Sequence, residues 1–330
     1  MAPIPLTVAF GDYDRLRPLA TEKVQIDGVS PIFSLLYPEE MFFRAFRFAD
    51  FDVTELSLSS YVVRLTRGDC PYVAIPVFPS RAFRHNAIYI RNDRGIERPE
   101  DLRGRRIGTP EYQLTANVWV RYILESDYGV APSDIEWVRG GYEVPGRAEK
   151  IALNLPPAIR VSEAPAGQTL SRMLAEGQID GLVGPRAPSP FDAGHPKISW
   201  LFPDPGAAAM AWYERTKIFP IMHVIGIRRS LLERYPFLAG SLMKAFEASK
   251  RMALEALTDT SAPKVTLPLL DESLRRARQL MGHDFWPYGL EPNRETLKAF
   301  LETHHRQGLS SRRLDPEELF HPSSLEAFAL

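Results

Sequence analysis

Residues 91–112 read RNDRGIERPEDLRGRRIGTPEY, and this stretch shows the chain leaving one unit and starting another. Just before it, Ala87–Ile90 is a short apolar run suited to a buried strand. The charged segment Arg98–Gly104, with its Pro and Gly, then breaks that pattern as a surface connection does. A new strand, Arg106–Gly108, opens at once, followed by a loop at Thr109–Tyr112 and a helical stretch from about Leu114 to Ser126.

The same alternation extends in both directions. Upstream, Leu6–Phe10 is an apolar strand ended by Gly11-Asp12. Pro38–Phe48 opens on Pro and two acids and carries aromatics at helical spacing, so it is expected to be a helix. Val53–Leu56 reads as a strand and Leu58–Thr66 as a helix with Ser57 at its N-cap. Tyr72–Phe78 is a further strand, joined to Ala87–Ile90 by residues 79–86. Downstream, Asp134–Val138 ends at Arg139-Gly140-Gly141, and Thr169–Glu176 closes on Gly177 before the strand Ile179–Val183. Ile198–Phe202, Ile221–Ile227 and a long helix from Ser230 to about Leu257 follow, with a Pro-interrupted helical tail over Asp271–Leu330. Strands alternating with helices imply an α/β protein with doubly wound, mostly parallel sheets. Arg98–Gly104 and Phe202–Gly206 are the expected crossings. Residues 1–102 then form the first part of lobe 1, 103–203 an inserted lobe 2, and 204–330 the return with the tail.

Composition narrows the function classes. Among 330 residues, 45% are hydrophobic and 25% charged, a globular profile, and the net charge of −1 supplies no attraction to nucleic acid or an anionic membrane. Cys70 is the one cysteine, so no intrachain disulfide and no cysteine metal cluster can form. No apolar run approaches the roughly 18 residues of a membrane span. The start, MAPIPLTVAFGDYD, lacks the basic-then-apolar pattern of a secretory signal, so the expected location is cytoplasmic.

The quoted stretch resembles the hinge and second-lobe entry of type II periplasmic-binding-protein folds, and TLSRMLAEGQIDGLVGP (169–185) resembles their helix–Gly–strand return. Within that group, FPSRAFRHNAIYIRND (78–93), GTPEYQLTANVWVRYILESDYGV (108–130), WVRGGYE (137–143) and FPIMH (219–223) together resemble the 4,5-dihydroxyphthalate decarboxylase family. The resemblance spans Val8 to about Leu257. It implies a two-lobed α/β fold with mixed sheets, an inter-lobe cleft and a helical C-terminal tail. It also implies non-oxidative loss of one carboxylate from an aromatic diacid, giving a dihydroxybenzoate and CO2 in that cleft.

Such chemistry needs a group to hold the retained carboxylate, a partner for the para oxygen and a proton donor. Arginine matches a carboxylate bidentately, which points to Arg81 and Arg84 between two strands and, less directly, to Arg15 after the first strand. Proton delivery falls to His223, in an apolar strand, or to His85 beside the arginine pair. Asp12 and Glu111 are the candidate carboxylates. Thr109, Tyr112 and Gln113 precede a helix whose amides could hold an anion, and Ser57 and Ser59 head another. Arg139 and Gly140 would let backbone approach a ligand closely. No cofactor is expected and no metal motif is present, although Asp12, Glu111 and His223 leave a divalent cation open. The expected partner is a small aromatic carboxylate. Trp286 and Tyr288 in the tail are candidates to cover the cleft or to form a homo-oligomer contact. Two other readings share the fold: a solute-binding protein for an aromatic carboxylate, and a thiamine-pyrimidine-synthase-like enzyme, from whose cysteine-rich motif this sequence departs.

Overall fold

The computed structural model describes residues 2–325, which form two compact units. Unit 1 comprises residues 1–81, 223–297 and 314–330, and unit 2 residues 82–222 and 298–313. The exchanges lie at Arg81/Ala82 and Met222/His223, about twenty residues from the expected crossings on either side. The reason is pairing. Residues 88–91 form a strand inside the unit 2 sheet, so the chain has already changed units before Arg98–Gly104.

The strands are β1 (Ile4–Phe10), β2 (Val29–Leu35), β3 (Val53–Ser57), β4 (Tyr72–Ile75), β5 (Ile88–Arg91), β6 (Arg106–Thr109), β7 (Glu136–Arg139), β8 (Arg160–Glu163), β9 (Gly181–Val183), β10 (Ile198–Trp200) and β11 (His223–Arg228). Unit 1 holds a five-stranded sheet in the order β2-β1-β3-β11-β4. β1 runs parallel to β2 and β3, whereas β11 lies antiparallel to both β3 and β4. Gly226, in the middle of β11, is a packing requirement: a Cβ there would stand 2.4 Å from Leu56 Cδ1 and 3.2 Å from Tyr72 Cβ. The core gathers Phe10, Phe246 and the apolar face of Leu238–Ala256, with Phe10 and Phe246 edge to face at 6.2 Å.

Unit 2 holds a six-stranded sheet in the order β10-β5-β9-β6-β7-β8. β6, β7, β8 and β9 are parallel, and β5 is antiparallel to its neighbours β9 and β10. Its core joins Tyr89, Val138, Leu170, Leu174, Leu182 and Ile198. The helix Leu170–Glu176 is capped at one end by the Thr169 hydroxyl, which accepts from the Arg172 amide, and at the other by Gly177 at φ +75°, a conformation glycine adopts without strain.

The helix Pro38–Phe48 is as expected, and Leu58–Arg67 differs from expectation by one residue. Ser57 does occupy the N-cap position of the second, but its side chain makes no capping hydrogen bond. The expected long helix after Ser230 is two, Arg229–Arg234 and Leu238–Ala256. Pro236 separates them, because it has no N–H to donate and clashes with the preceding turn. No helix among the described residues is long and apolar enough to cross a membrane.

Candidate active site

In unit 1, β1 and β3 end and β11 begins at one edge of the sheet, with His223 in register with Ser57. In open α/β sheets this edge, outside the carboxyl ends of the parallel strands, is where ligands bind. Glu55 points into it from β3 and is fully buried. A buried carboxylate must be matched by donors, and three are present. Gly11 N–H donates to Oε2 at 2.8 Å, the Tyr13 hydroxyl to Oε1 at 2.9 Å, and His223 Nδ1 to Oε1 at 2.5 Å. Gly11 can carry no side chain, since a Cβ would meet the Tyr13 ring at 2.8 Å.

With Nδ1 donating to an acceptor-only group, the tautomer and plane of His223 are fixed. The Phe42 ring holds its other side, edge to face at 4.8 Å. Nε2 has no hydrogen-bond partner among the described residues and is not sealed off, and the side chain is 17% exposed. The arrangement is that of an imidazole oriented by a carboxylate at one nitrogen and open to a reacting group at the other. Burial, and then the adjacent Glu55 charge, push the Tyr13 hydroxyl far above the usual phenol range, so it serves as a fixed donor.

Around this centre, Arg15 is held on every side. Its guanidinium lies over the rings of Tyr13 and Trp286, at 4.4 and 4.1 Å. Nε donates to Pro79 O at 2.7 Å, Nη2 donates to the same oxygen, and Nη1 pairs with Asp14 at 3.1 Å. Trp286 therefore packs within unit 1, donating from Nε1 to Phe78 O, and Tyr288 is buried there with its ring under Lys250 Nζ. Arg81 is buried too, and its Nη2 donates to Pro287 O at 2.8 Å and to Asn293 Oδ1. Asp12 is exposed and pairs with Arg17, which holds its carboxyl below the usual range. Ser57 and Ser59 are buried at the head of Leu58–Arg67.

Unit 2 carries the other expected residues. Glu111 is buried, and it accepts from Arg147 Nη2 at 2.6 Å and Lys150 Nζ at 2.7 Å, which makes it the anchor of an internal charge cluster. The amides before helix Thr115–Tyr128 already have an anion of the chain's own. Tyr112 N–H donates to Glu149 at 2.5 Å and Gln113 Nε2 to the same carboxylate at 3.0 Å, while burial raises the Glu149 pKa. Thr109 accepts from Asn117 Nδ2 at 2.6 Å. Arg139 pairs with Glu163, and the close approach at Gly140 comes from Ala164, whose Cβ would lie 2.7 Å from an added one. His85 is buried against Phe202 and Trp212, and burial pushes it down to about 4, so at neutral pH it is an uncharged core ring. Arg84, next to it, is half-buried and donates from Nε to Met222 Sδ at 3.2 Å.

Glu55 and Tyr13 escaped the sequence reading. Glu55 sits in the middle of β3, VTELS, every residue of which is buried, and an acid centred in a short strand between Val53 and Leu56 was the available signal. Among the described residues, no group of three or more His, Cys, Asp or Glu is placed to hold a metal ion.

Comparisons with known proteins bear on what this geometry serves. A family model described as NMT1/THI5 like matches residues 82–148. The 4,5-dihydroxyphthalate decarboxylase of Comamonas testosteroni is 60% identical over 330 residues, covering all of both chains. That of Pseudomonas putida is 62% identical over 213 residues, 64% of this chain and 83% of its own. Among solved structures, the periplasmic aliphatic sulphonate binding protein SsuA from Escherichia coli superposes with a TM-score of 0.54 at 13% identity, covering 100% of this chain and 96% of the other. The alkanesulfonate-binding protein SsuA from Xanthomonas axonopodis pv. citri gives 0.54 at 10% identity, covering 97% and 99%. At such identities the structural likenesses establish a shared fold, that of the periplasmic binding proteins.

Proposed function

The chain belongs to the 4,5-dihydroxyphthalate decarboxylase family, and on that footing we propose that it converts 4,5-dihydroxyphthalate into 3,4-dihydroxybenzoate and CO2. The observation that carries the mechanism is the His223–Glu55 pair, with Nδ1 fixed at 2.5 Å from the carboxylate and Nε2 open.

The hydroxyl para to the departing carboxylate gives up its proton and pushes electron density into the ring. The protonated His223 delivers a proton from Nε2 to the ring carbon that bears that carboxylate. Aromaticity is lost at this point, and the C–C bond to the carboxylate then breaks. Its electron pair returns to the ring, CO2 departs, and the para oxygen regains a proton as the ring becomes aromatic again. One proton is consumed overall. Glu55 stabilises the cationic imidazole through Nδ1, and Tyr13 and Gly11 keep that carboxylate from rotating. The hydroxyl's push lets the ring carbon take the proton, and the dearomatised ring then accepts the electron pair left by CO2, so the ring is its own electron sink and the proposed route uses no cofactor. The lone Cys70 leaves no disulfide to maintain, which supports a cytoplasmic setting.

The test is CO2 release and the ultraviolet spectrum of the ring, followed on metal-stripped protein with 4,5-dihydroxyphthalate. Turnover is expected, with one deuterium on the product ring in D2O at the carbon that lost its carboxylate. His223→Asn should keep the fold and lower kcat by about 10²-fold or more, and Glu55→Gln should lower kcat with KM little changed. Absence of turnover by the unaltered protein, with or without an added divalent cation, would sink the reading.

A further inference from the structure

We propose that Trp286 is a positioning residue for His223, acting through Arg15, Tyr13 and Glu55, an assignment that rests on the decarboxylase reading above. Residues 282–290 form neither helix nor strand, yet unit 1 fastens them at successive points. The buried Lys250 ammonium donates to Asp284 at 2.8 Å, and the other oxygen of that carboxylate accepts from the Trp286 amide at 3.2 Å. Trp286 Nε1 donates to Phe78 O at 2.9 Å, Arg81 Nη2 to Pro287 O at 2.8 Å, and Gly289 N–H to Pro76 O at 2.8 Å. A segment tied down in this way holds its side chains in one place.

What the indole supports is the carboxylate beside His223. The Arg15 guanidinium lies over the indole at 4.1 Å and over the Tyr13 ring at 4.4 Å, which joins the three groups in one cluster. At its hydroxyl end the Tyr13 ring meets Gly11, where an added Cβ would stand 2.8 Å from Cζ. Tyr13 is thus confined by Gly11 and by Arg15, and its hydroxyl donates to Glu55 Oε1 at 2.9 Å. His223 Nδ1 donates to the same oxygen. Two donors on one oxygen fix where it lies, and with it the plane of the imidazole. Burial and then the Glu55 charge hold the proton on Tyr13, and the Arg15 charge works against them, which strengthens the hydroxyl as a donor.

Without the indole, Arg15 keeps Pro79 and Asp14 but loses one of its two aromatic faces, and Tyr13 gains room to turn. Glu55 then retains Gly11 on one oxygen while the other loses its fixed phenol. The imidazole follows its acceptor, and Nε2 is misdirected in part of the population. This touches the chemical step more than binding, because it acts on the proton donor.

Trp286→Leu should lower kcat by about 10-fold or more with KM within about 2-fold of the unaltered protein. In nitrogen NMR of the substrate-free protein at alkaline pH, the neutral His223 ring should pass from the Nδ1–H tautomer to a mixture of both. Trp286→Phe keeps a ring over Arg15 and should recover most of both readouts. Unchanged kcat or unchanged His223 signals in a folded Trp286→Leu would overturn the assignment, as would a phenylalanine variant as impaired as the leucine one. Should Trp286→Leu not fold, Arg15→Met carries the test: the same two changes support the proposal, and the absence of either overturns it. If the unaltered protein releases no CO2 from 4,5-dihydroxyphthalate while its His223 tautomer still depends on Trp286, the decarboxylase reading fails and the positioning role stands.

Discussion

Two histidines with opposite surroundings divide the work at the scale of single residues. His223 meets a carboxylate at one nitrogen and open space at the other, whereas His85 is enclosed by Phe202 and Trp212 with its Nδ1 buried and unpartnered. Folding lowers the His85 pKa from 6.5 to about 4, so the unfolded chain binds the extra proton between those values. Its contribution to stability is therefore complete above pH 6.5 and is lost as pH falls toward 4. The difference amounts to about 3 kcal/mol. Urea unfolding across that range should show the loss in the unaltered protein and a correspondingly flatter profile in His85→Phe; parallel profiles would contradict it. Sequence separated these two histidines poorly, because each adjoins apolar residues and only the three-dimensional neighbours differ. For the same reason sequence favours Arg81 and Arg84 and ranks Arg15 behind them, without telling which guanidinium is already occupied. In the structure, Arg81 and Arg15 are tied to carbonyls and an amide, and Arg84 is left open.

Elements were more legible than side-chain partners where local signals agreed. Pro38–Phe48 and Leu170–Glu176 carried start and stop chemistry in their own residues, and both formed as expected, to within a residue. β2 and β8 were missed. β2, VSPIFSL, sits at a sheet edge with Ile32 and Leu35 exposed, so its pattern lacks clean alternation, and its Pro31 is tolerated only in such a place. β8, RVSE, is an edge strand too short and polar to stand out. β11 illustrates packing that sequence hides, since Gly226 reads locally as a weak point in a strand. Gly226→Ala should cost about 1–3 kcal/mol by overpacking Leu56 and Tyr72, visible as a lower urea midpoint with an unchanged slope. A midpoint that stays put would mean that Leu56 moves aside freely.

The whole chain visits its units in turn, and the last visits are short. Residues 298–313 belong to unit 2, and residue 314 onward returns to unit 1, where Phe320 forms a bridge with Ala74 and the Tyr61 hydroxyl donates to Leu319 O at 2.6 Å. Ending the chain after Arg313 would strip buried Leu319 and Phe320 from unit 1, a loss of roughly 5 kcal/mol or more. The thermal midpoint should fall by roughly 7 °C or more, and a truncated chain melting at the original temperature would show that this segment is dispensable. Such interleaving explains why the crossings were misplaced in the sequence reading: polar connections mark turns everywhere, and only strand pairing reveals which sheet a segment joins.

The position of β11 between β3 and β4 has a consequence for synthesis. On the ribosome, β3 and β4 emerge long before the strand that separates them, about 150 residues downstream of Ile75. At 5–20 residues per second that interval is roughly 8–30 s. Throughout it, the two strands present bare hydrogen-bonding edges that could pair directly with each other or with a neighbouring nascent chain. A chain of this topology should therefore depend on a holding chaperone during translation, more than one whose central strand is made in sequence with its partners.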